Sequence, residues 1–356
     1  PEIMEKQPVR VLPARAWRTY RGGSLIAALH GEAGEDSHFP EEWLLSTVQA
    51  RNPGREQIQE GLSMLPDGRT LREYIAADPE GLLGPGRRET GMLMKLIDAA
   101  ERLSVQAHPT RADAMRFFQS PFGKTECWHI LGGRSVDGQP PCIYFGFKAG
   151  VTREEWARLF YAQDIPGMLN CLHRLEVQPG ETYLIHGGVP HAIGAGCFLA
   201  EIQEPTDLTL RVERFSPAGE PLPDQSCHQG AGFEAMLDCF DYDGCDLAEA
   251  RRRWMLPPRT LSAQPGQYLR QALVDYADTP YFRMEKLRVE GALEQAGENQ
   301  FHGLYVLSGA GEMRFAGKSQ RLTPGDQYFV PAGACYSLHC TGDPLALLRY
   351  EGPQAT

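Results

Sequence analysis

Glycine and proline residues divide this chain into short segments, and their frequent spacing limits the possible folds more than any other feature. The 356 residues include 38 glycines and 27 prolines. In the run Phe301 to His339, polar and apolar residues alternate between glycine and proline turns, which is typical of β-strands. We therefore predict a mainly β fold with many turns and only a few short helices.

A weak internal repeat indicates two similar β-domains. The sequence PGETYLIHGGVPHAIG at 179–194 is echoed by PGDQYFVPAGACYSLH at 324–339, with a Pro-Gly turn, a short strand and a glycine turn in the same order. A chain of this length also exceeds one typical core. We predict domains at 1–235 and 236–356, and a loop or linker in SPAGEPLPDQS at 216–226.

Local patterns predict individual elements in the first domain. Thr70 to Ala77 begins with a plausible N-cap threonine and is predicted to be a helix. Thr152 to Phe160 is also predicted to be a helix, because Thr152 and Glu155 have the spacing of a capping box. The predicted strands are Glu41 to Ser46, Leu103 to His108, Glu126 to Leu131 and Cys142 to Phe147, with two more between Leu175 and Ile185.

Charge and composition exclude several classes of partner. The formal net charge is −11 at pH 7 without a basic stripe, which argues against nucleic-acid binding. No run of about 18 apolar residues predicts a membrane span, and we find no signal-peptide pattern. Nine cysteines without a CxxC pair argue against a zinc knuckle and favour free thiols in a reducing cytoplasm.

Four residues in three segments form a candidate metal site. Gln106 and His108 are two residues apart, so a strand would place both side chains on one face. Glu126 lies on a later predicted strand, and His191 follows a glycine turn after an apolar strand. Imidazole nitrogen and carboxylate oxygen suit a metal such as Zn²⁺. Each histidine alone is more often structural, so the pattern leaves both readings open.

Several motifs resemble the type I phosphomannose isomerases, most closely the short bacterial form that lacks the large helical insertion. The resemblance covers most of residues 17–212. The motifs occur in the family's order and are LSVQAHP at 103–109, GKTECWHIL at 123–131, PGETYLIHGGVPHAIGAG at 179–196 and EIQEPTDLTLR at 201–211, supported by RGGSL at 21–25 and EEWLLS at 41–46.

The resemblance implies two cupin-type (jelly-roll) β-barrels, the first catalytic and the second metal-free. It implies one Zn²⁺ per chain, held by Gln106, His108, Glu126 and His191. The expected reaction is the interconversion of mannose 6-phosphate and fructose 6-phosphate through an enediol, with no redox cofactor.

An aldose–ketose isomerase also needs a base and an electrostatic stabiliser beside the metal. Glu201 is the candidate base, and Arg211 is the candidate group that steadies the enediolate or assists ring opening. With the family pattern, Lys124 and Ser104 become substrate or phosphate contacts. Without it, a solvated carboxylate and a structural ion pair would be the preferred interpretations of Glu201 and Arg211.

Two departures from the family pattern leave other functions open. The chain has Leu210 where a tyrosine usually precedes the arginine, and His186 where a proline or small residue is usual. The alternatives are isomerisation of another hexose phosphate or of free mannose, and a non-catalytic sugar-binding or regulatory cupin. Gln106 and the lack of a His-x-His pair argue against a cupin oxygenase. We expect a small sugar phosphate as the ligand and a monomer or homodimer.

Overall fold

The computed structural model describes residues 6–356 and is built mainly from short β-strands, as predicted. The strands are two to eight residues long, and the helices of the described chain are five to ten residues long. No helix within residues 6–356 is long and apolar enough to cross a membrane.

Short strands connected by tight turns form the body of the molecule. In chain order they are β1 (Val9–Val11), β2 (Arg15–Ala16), β3 (Glu41–Leu44), β4 (Leu93–Asp98), β5 (Gln106–Ala107), β6 (Glu126–Gly133), β7 (Cys142–Phe147), β8 (Leu172–Glu176), β9 (Thr182–Ile185), β10 (His191–Ile193), β11 (Cys197–Gln203), β12 (Leu210–Arg211), β13 (Met255–Leu256), β14 (Arg259–Gln264), β15 (Tyr268–Val274), β16 (Arg283–Val289), β17 (Ala292–Gln295), β18 (His302–Ser308), β19 (Gly311–Phe315), β20 (Lys318–Leu322), β21 (Gln327–Val330), β22 (Tyr336–Cys340) and β23 (Leu345–Glu351).

The helices lie between strands, and those of the described chain all precede Met255. They are α1 (Ser24–Leu29), α2 (Leu71–Ala77), α3 (Pro79–Leu83), α4 (Arg111–Phe118), α5 (Arg153–Ala162), α6 (Ile165–Asn170), α7 (Asp224–His228), α8 (Phe233–Asp238) and α9 (Leu247–Trp254). The Thr70 and Thr152 side chains accept hydrogen bonds from the backbone N–H of Glu73 and Glu155. Both predicted helix starts are therefore confirmed.

The strands form two seven-stranded sheets, one five-stranded sheet and one four-stranded sheet. The first seven-stranded sheet has the order β13-β9-β6-β11-β4-β3-β2, and the second has the order β1-β21-β18-β23-β16-β15-β14. The five-stranded sheet has the order β12-β5-β10-β7-β8, and the four-stranded sheet has the order β17-β22-β19-β20. In the described chain, no sheet closes on itself by strand pairing.

The predicted internal repeat is confirmed in the backbone. In each copy a Pro-Gly turn leads into a four-residue strand, β9 or β21, and the turn glycine has φ of 94° (Gly180) or 90° (Gly325). The second turn also contains a glycine with positive φ, 87° at Gly188 and 83° at Gly333. Only glycine adopts these angles without steric cost, so the repeated glycines fix the repeated turns.

Sheet pairing crosses the predicted division between residues 235 and 236. The early strand β1 pairs with β21 of the second seven-stranded sheet, whereas β13 pairs with β9 of the first. Each half of the chain thus contributes one short strand to the sheet of the other half.

Two predicted segments differ from the structure. The strand expected over Leu103 to His108 is reduced to Gln106–Ala107, because neighbouring backbone groups bond elsewhere; the N–H of Leu103, for example, donates to the Ile193 carbonyl. The stretch at 216–226, predicted to be a loop or a linker, is a loop only in its first part. Its first part is the tip of a hairpin over residues 214–222, and α7 begins within it at Asp224.

The first seven-stranded sheet is covered on both faces. One buried cluster joins its residues Leu44, Met94 and Ile202 to Phe329 and Leu348 of the second seven-stranded sheet. On the other face, a second cluster packs the sheet against the five-stranded sheet. Polar side chains at the edge of this second interface form the candidate site.

Candidate metal centre

Strand pairing brings the predicted metal ligands together from two facing sheets. Gln106 on β5 lies directly opposite His191 on β10, within the five-stranded sheet. His108 follows β5, and Glu126 begins β6 in the first seven-stranded sheet. The glycine turn before His191 contacts the segment of His108, because the Gly188 N–H donates to the His108 carbonyl at 2.7 Å.

The ligand atoms of His108, Glu126 and His191 converge in a buried group. One atom from each lies within 4.8 Å of the other two. The closest pair is His108 Nε2 and Glu126 Oε1 at 2.7 Å, and His191 Nε2 is 3.7 Å from Glu126 Oε2. All three residues are almost completely buried.

The hydrogen bonds of the two imidazole rings leave Nε2 available as a ligand. His108 Nδ1 lies 3.0 Å from the Leu208 carbonyl, and His191 Nδ1 lies 2.9 Å from the Val189 carbonyl. A carbonyl accepts only, so each Nδ1 carries the proton and each Nε2 presents a lone pair. This arrangement is typical of histidine ligands to a metal ion.

The charge states of the three residues also suit a cation. Burial lowers the pKa of His108 to about 3 and lowers the pKa of His191, so both rings are neutral at pH 7. Glu126 is buried, which opposes ionisation, but the positive charge of Lys124 contributes to lowering the pKa of Glu126 below its usual range. Two neutral imidazoles and one carboxylate are a chemically suitable set for Zn²⁺.

Gln106, the fourth predicted metal ligand, lines a cavity beside the other three ligand residues. Its amide nitrogen donates to the Ser104 carbonyl at 3.0 Å, which leaves the amide oxygen free. Gln106, Ser104, Glu126 and His191 all line this cavity. The donors therefore fit a divalent ion, with the amide as the weakest ligand.

Glu201 is a second buried carboxylate at the same site. It lies on β11 between Trp128 of β6 and Lys95 of β4 in the strand register. Burial and the negative charge of Glu126 raise the pKa of Glu201 to about 8, although Lys95 opposes this shift. A carboxyl group whose pKa lies near neutrality can both accept and return a proton.

Lys124 lies at the predicted position beside Glu126, but its amino group is already paired. Nζ is 3.8 Å from Glu126 Oε1 and 3.7 Å from Asp207 Oδ1, and it donates to Thr209 Oγ1. Burial and the charge of Lys95 lower the pKa of Lys124. Lys124 precedes β6, and its side chain lies beside that of Glu126.

Arg211 lines the cavity, and most of its guanidinium N–H groups have no hydrogen-bond partner among residues 6–356. It lies opposite Gln106 in the strand register and donates to the Ser226 carbonyl at 2.8 Å. Within residues 6–356 it forms no ion pair, and burial lowers the pKa of Arg211. His186, the other residue singled out from the sequence, is exposed and does not line the cavity.

A charged network beside the metal site was missed in the sequence. Arg18 donates to both carboxylate oxygens of Asp207, at 2.9 and 3.0 Å, and to Glu41 at 3.0 Å. Lys95 Nζ lies 3.7 Å from Glu41 and 3.9 Å from Glu201. Although burial opposes it, Arg18 and Lys95 lower the pKa of Glu41 to about 2. The overlooked signal was a pair of charged residues in each of two predicted buried segments, EEWL and LMKLID.

The 214–222 hairpin forms one wall of the cavity. Phe215 pairs with Pro221, and the Ser216 N–H donates to the Glu220 carbonyl at 2.8 Å. Phe215, Pro217 and Leu222 line the cavity from this side. The chain therefore passes from Leu210 and Arg211 directly into a cavity wall.

Comparisons with known proteins agree with the predicted resemblance. Residues 290–348 match the cupin domain family. A protein of Bacillus subtilis named as a probable mannose-6-phosphate isomerase is 24% identical over 322 residues, which is 90% of this chain and 91% of the relative. The mannose-6-phosphate isomerase of Streptococcus mutans is 27% identical over 240 residues, covering 67% of this chain and 68% of the relative.

Solved structures have the same fold. The crystal structure of mannose 6-phosphate isomerase from Bacillus subtilis matches with a TM-score of 0.77 at 23% identity, over 97% of this chain and 100% of the other. The apo form from Salmonella typhimurium matches with a TM-score of 0.71 at 15% identity, over 98% and 99%. The resemblance to type I phosphomannose isomerases is thus confirmed, and a cupin domain is matched over residues 290–348.

Proposed function

We propose that this chain, a relative of mannose-6-phosphate isomerases in sequence and fold, interconverts mannose 6-phosphate and fructose 6-phosphate. The observation that carries the proposal is one buried cavity that combines a metal-ligand set with a separate carboxylate of raised pKa. Transfer of a proton between C1 and C2 of a sugar needs both an electrophile and a base.

The proposed cofactor is one Zn²⁺ per chain, held by Gln106, His108, Glu126 and His191. Bound Zn²⁺ acts as a Lewis acid that stabilises negative charge on the sugar oxygens as the enediol forms. The neutral Nε2 atoms, the Glu126 carboxylate and the free Gln106 oxygen support this assignment.

Glu201 is the proposed base that moves the proton between C1 and C2. Glu201 lines the same cavity as Gln106, Glu126 and His191 but is not one of the proposed ligands. Lys95, 3.9 Å from Glu201, favours the ionised form that abstracts the proton. The enediol that results is planar at C1 and C2, so the proton can return to either carbon.

The balance of charge favours a phosphorylated sugar. Four cations, Arg18, Lys95, Lys124 and Arg211, face four carboxylates, Glu41, Glu126, Glu201 and Asp207. When all eight groups are ionised, their charges sum to zero. A bound divalent metal ion would then give the site a net positive charge, which a phosphate dianion can neutralise.

Arg211 is the cation best placed to receive an anionic part of the substrate, because Arg18, Lys95 and Lys124 already pair with carboxylates. The position of Lys124 beside Glu126 supports a role near the reacting carbons. Ser104 lines the cavity near Gln106 and is the proposed hydroxyl donor to the substrate.

The larger organisation is also part of the proposal. Residues 1–235 would form the catalytic cupin-type barrel and 236–356 the metal-free one, with β1 and β13 exchanged between them. The chain would function as a monomer or homodimer in the cytoplasm. All nine cysteines are unpaired, which supports a reducing compartment.

The test is a coupled assay of zinc-loaded protein with mannose 6-phosphate, before and after chelation. We expect fructose 6-phosphate to form, to disappear after chelation and to return when Zn²⁺ is restored. Free mannose in the same assay serves as the control for the phosphate. Metal binding without turnover of any hexose phosphate would favour the sugar-binding alternative, and equal turnover of free mannose would refute the phosphate assignment.

A further inference from the structure

We infer that Trp128 is a positioning residue that sets the orientation of Glu126 and Glu201 through one shared N–H group. Trp128 is 0% exposed, and no part of it reaches the cavity. Its indole Nε1 donates to Glu126 Oε2 at 3.0 Å and to Glu201 Oε2 at 3.1 Å. The catalytic part of this inference rests on the proposed function, and the metal-binding part does not.

Strand register places the indole between the two carboxylates. Trp128 and Glu126 are two residues apart on β6, so their side chains lie on one face of the sheet. Glu201 is the register partner of Trp128 on β11. The indole ring also meets the His191 ring edge-on, with centroids 5.3 Å apart and an interplanar angle of 68°.

The shared donor holds one oxygen of each carboxylate and leaves the other for chemistry. The Oε1 atom of Glu126 lies 2.7 Å from His108 Nε2, among the metal ligands. The Oε1 atom of Glu201 lies 3.9 Å from the Lys95 amino group. Because Trp128 binds only the Oε2 atoms, it fixes the rotation of both carboxylates without blocking either reactive oxygen.

Tryptophan suits this position because its indole N–H donates but does not titrate near neutral pH. A histidine at the same place would add a group that titrates near neutral pH beside the two carboxylates, and a lysine would add a positive charge. Two carboxylates that share a buried neutral donor are also held at a fixed separation despite their mutual repulsion. Such supporting contacts typically change metal affinity or activity by about 10- to 100-fold when removed.

Replacement by phenylalanine tests the role, and Trp156 provides a matched control. Trp156 is also 0% exposed, but its indole nitrogen has no hydrogen-bond partner. Trp156→Phe therefore reports the packing cost of losing an indole, whereas Trp128→Phe also removes the shared donor. Affinity for Zn²⁺ is measured on metal-free protein by competition with a chromophoric chelator, and kcat and KM are measured at saturating Zn²⁺.

We expect Trp128→Phe to weaken Zn²⁺ binding and to lower kcat, each by about 10- to 100-fold, with KM changed by less than about twofold. Trp156→Phe should leave all three near wild type. Wild-type Zn²⁺ affinity in Trp128→Phe, or equal losses in the two variants, would overturn the inference. The affinity measurement decides this even if the chain proves not to be an isomerase.

A second variant keeps the inference testable if Trp128→Phe does not fold. Replacement of Trp128 by 3-benzothienylalanine keeps the shape of the indole and removes only its N–H. The same loss of Zn²⁺ affinity is expected, and retention of wild-type affinity would refute a role for the hydrogen bonds.

Discussion

At the scale of single residues, the surroundings of each side chain in the candidate metal centre determine its protonation state. The backbone carbonyls of Leu208 and Val189 hold the Nδ1 protons of His108 and His191, so the Nε2 lone pairs face inward. Burial then keeps both imidazoles neutral. Glu126 and Glu201 share one cavity, yet their pKa values move in opposite directions: burial opposes ionisation of both, Lys124 favours the charged form of Glu126, and the charge of Glu126 raises the pKa of Glu201.

Glu201→Gln separates proton transfer from metal binding. The amide has the same shape but cannot accept the C2 proton, so we expect kcat to fall by about 10² to 10⁴-fold while Zn²⁺ still binds. The measurement is exchange of the C2 hydrogen with deuterated solvent. Glu42→Gln is the control, because Glu42 is equally buried on the same sheet but contacts Tyr305 instead of the cavity. Normal exchange in Glu201→Gln would remove Glu201 from the role of base.

At the scale of elements, the glycine turn between β9 and β10 positions two ligand segments at once. The φ of Gly188 is 87°, and its N–H donates to the carbonyl of His108, while the turn leads directly to His191. An added Cβ on Gly187 would lie 2.9 Å from the Pro109 carbonyl oxygen. The turn therefore needs glycine both for its backbone angles and for close approach.

Gly188→Ala and Gly180→Ala form a matched pair. Both glycines have φ near +90°, so either alanine should cost about 1 to 2 kcal/mol of stability through backbone strain. An added Cβ would meet nothing within 4 Å at Gly180 but would lie 3.1 Å from the Cys239 carbonyl oxygen at Gly188, so Gly188→Ala should be the less stable of the two. Only Gly188 contacts the ligand segment, so only Gly188→Ala should also weaken Zn²⁺ binding, on the order of tenfold. Urea unfolding and a chelator competition measure the two effects. Equal Zn²⁺ affinities in the two variants would show that the turn does not position the ligands.

At the scale of the whole molecule, the two seven-stranded sheets have equivalent strand orders, but within residues 6–356 only the first faces a candidate ligand set, to which it contributes Glu126. Glu126 pairs with Ile185 at the end of β9, and His302 pairs with Val330 at the equivalent end of β21. His191 lies opposite Gln106, and Tyr336 lies opposite Gln295. In the second half, His302 and Tyr336 hydrogen-bond to each other at 2.7 Å, and Arg349 donates to Gln295.

Metal stoichiometry should follow this asymmetry. We expect one Zn²⁺ per wild-type chain, none in His108→Ala and one in His302→Ala, because only the first half presents a carboxylate with two free Nε2 atoms. Elemental analysis of dialysed protein checks all three. A bound ion that persists in His108→Ala and disappears in His302→Ala would place the metal in the second half.

The contact between the two large sheets predicts a pH dependence of stability. Buried Glu42 on β3 accepts hydrogen bonds from His30 at 2.9 Å and from Tyr305 of β18 at 2.7 Å. The hydrogen bond to Glu42 raises the pKa of His30, although burial opposes the shift. The charge of Glu32 raises this pKa further, and the charge of Arg15 lowers it. Protonated His30 therefore stabilises the folded state below about pH 6.5, and this contribution is lost as the pH rises through the raised pKa.

His30→Gln keeps a donor for Glu42 but does not titrate. We expect the urea midpoint of the wild type to fall as the pH rises from about 5.5 to 9, and this slope to flatten in His30→Gln. Tyr276→Phe serves as the control, since the Tyr276 hydroxyl donates to the Gly352 carbonyl and not to His30 or Glu42; this variant should lower the midpoint at every pH and preserve the slope. An unchanged slope in His30→Gln would refute the assignment.

Local sequence chemistry was sufficient for the mainly β class, the caps at Thr70 and Thr152, and the repeated glycine turns. These features depend on residues within a few positions of one another. The convergence of His108, Glu126 and His191 could be predicted only from the resemblance, because three isolated segments carry no information about their separation in space.

Tertiary structure alone decided the rest of the site. Lys95 and Glu41 looked like interruptions of apolar strands until the β3-β4-β11 register placed them beside Glu201. The short length of β5, the 214–222 hairpin over the cavity and the exchange of β1 and β13 likewise depend on pairing between distant segments. The physical reason is that register and burial are set by the whole fold, and they determine which charges meet and how far each pKa moves.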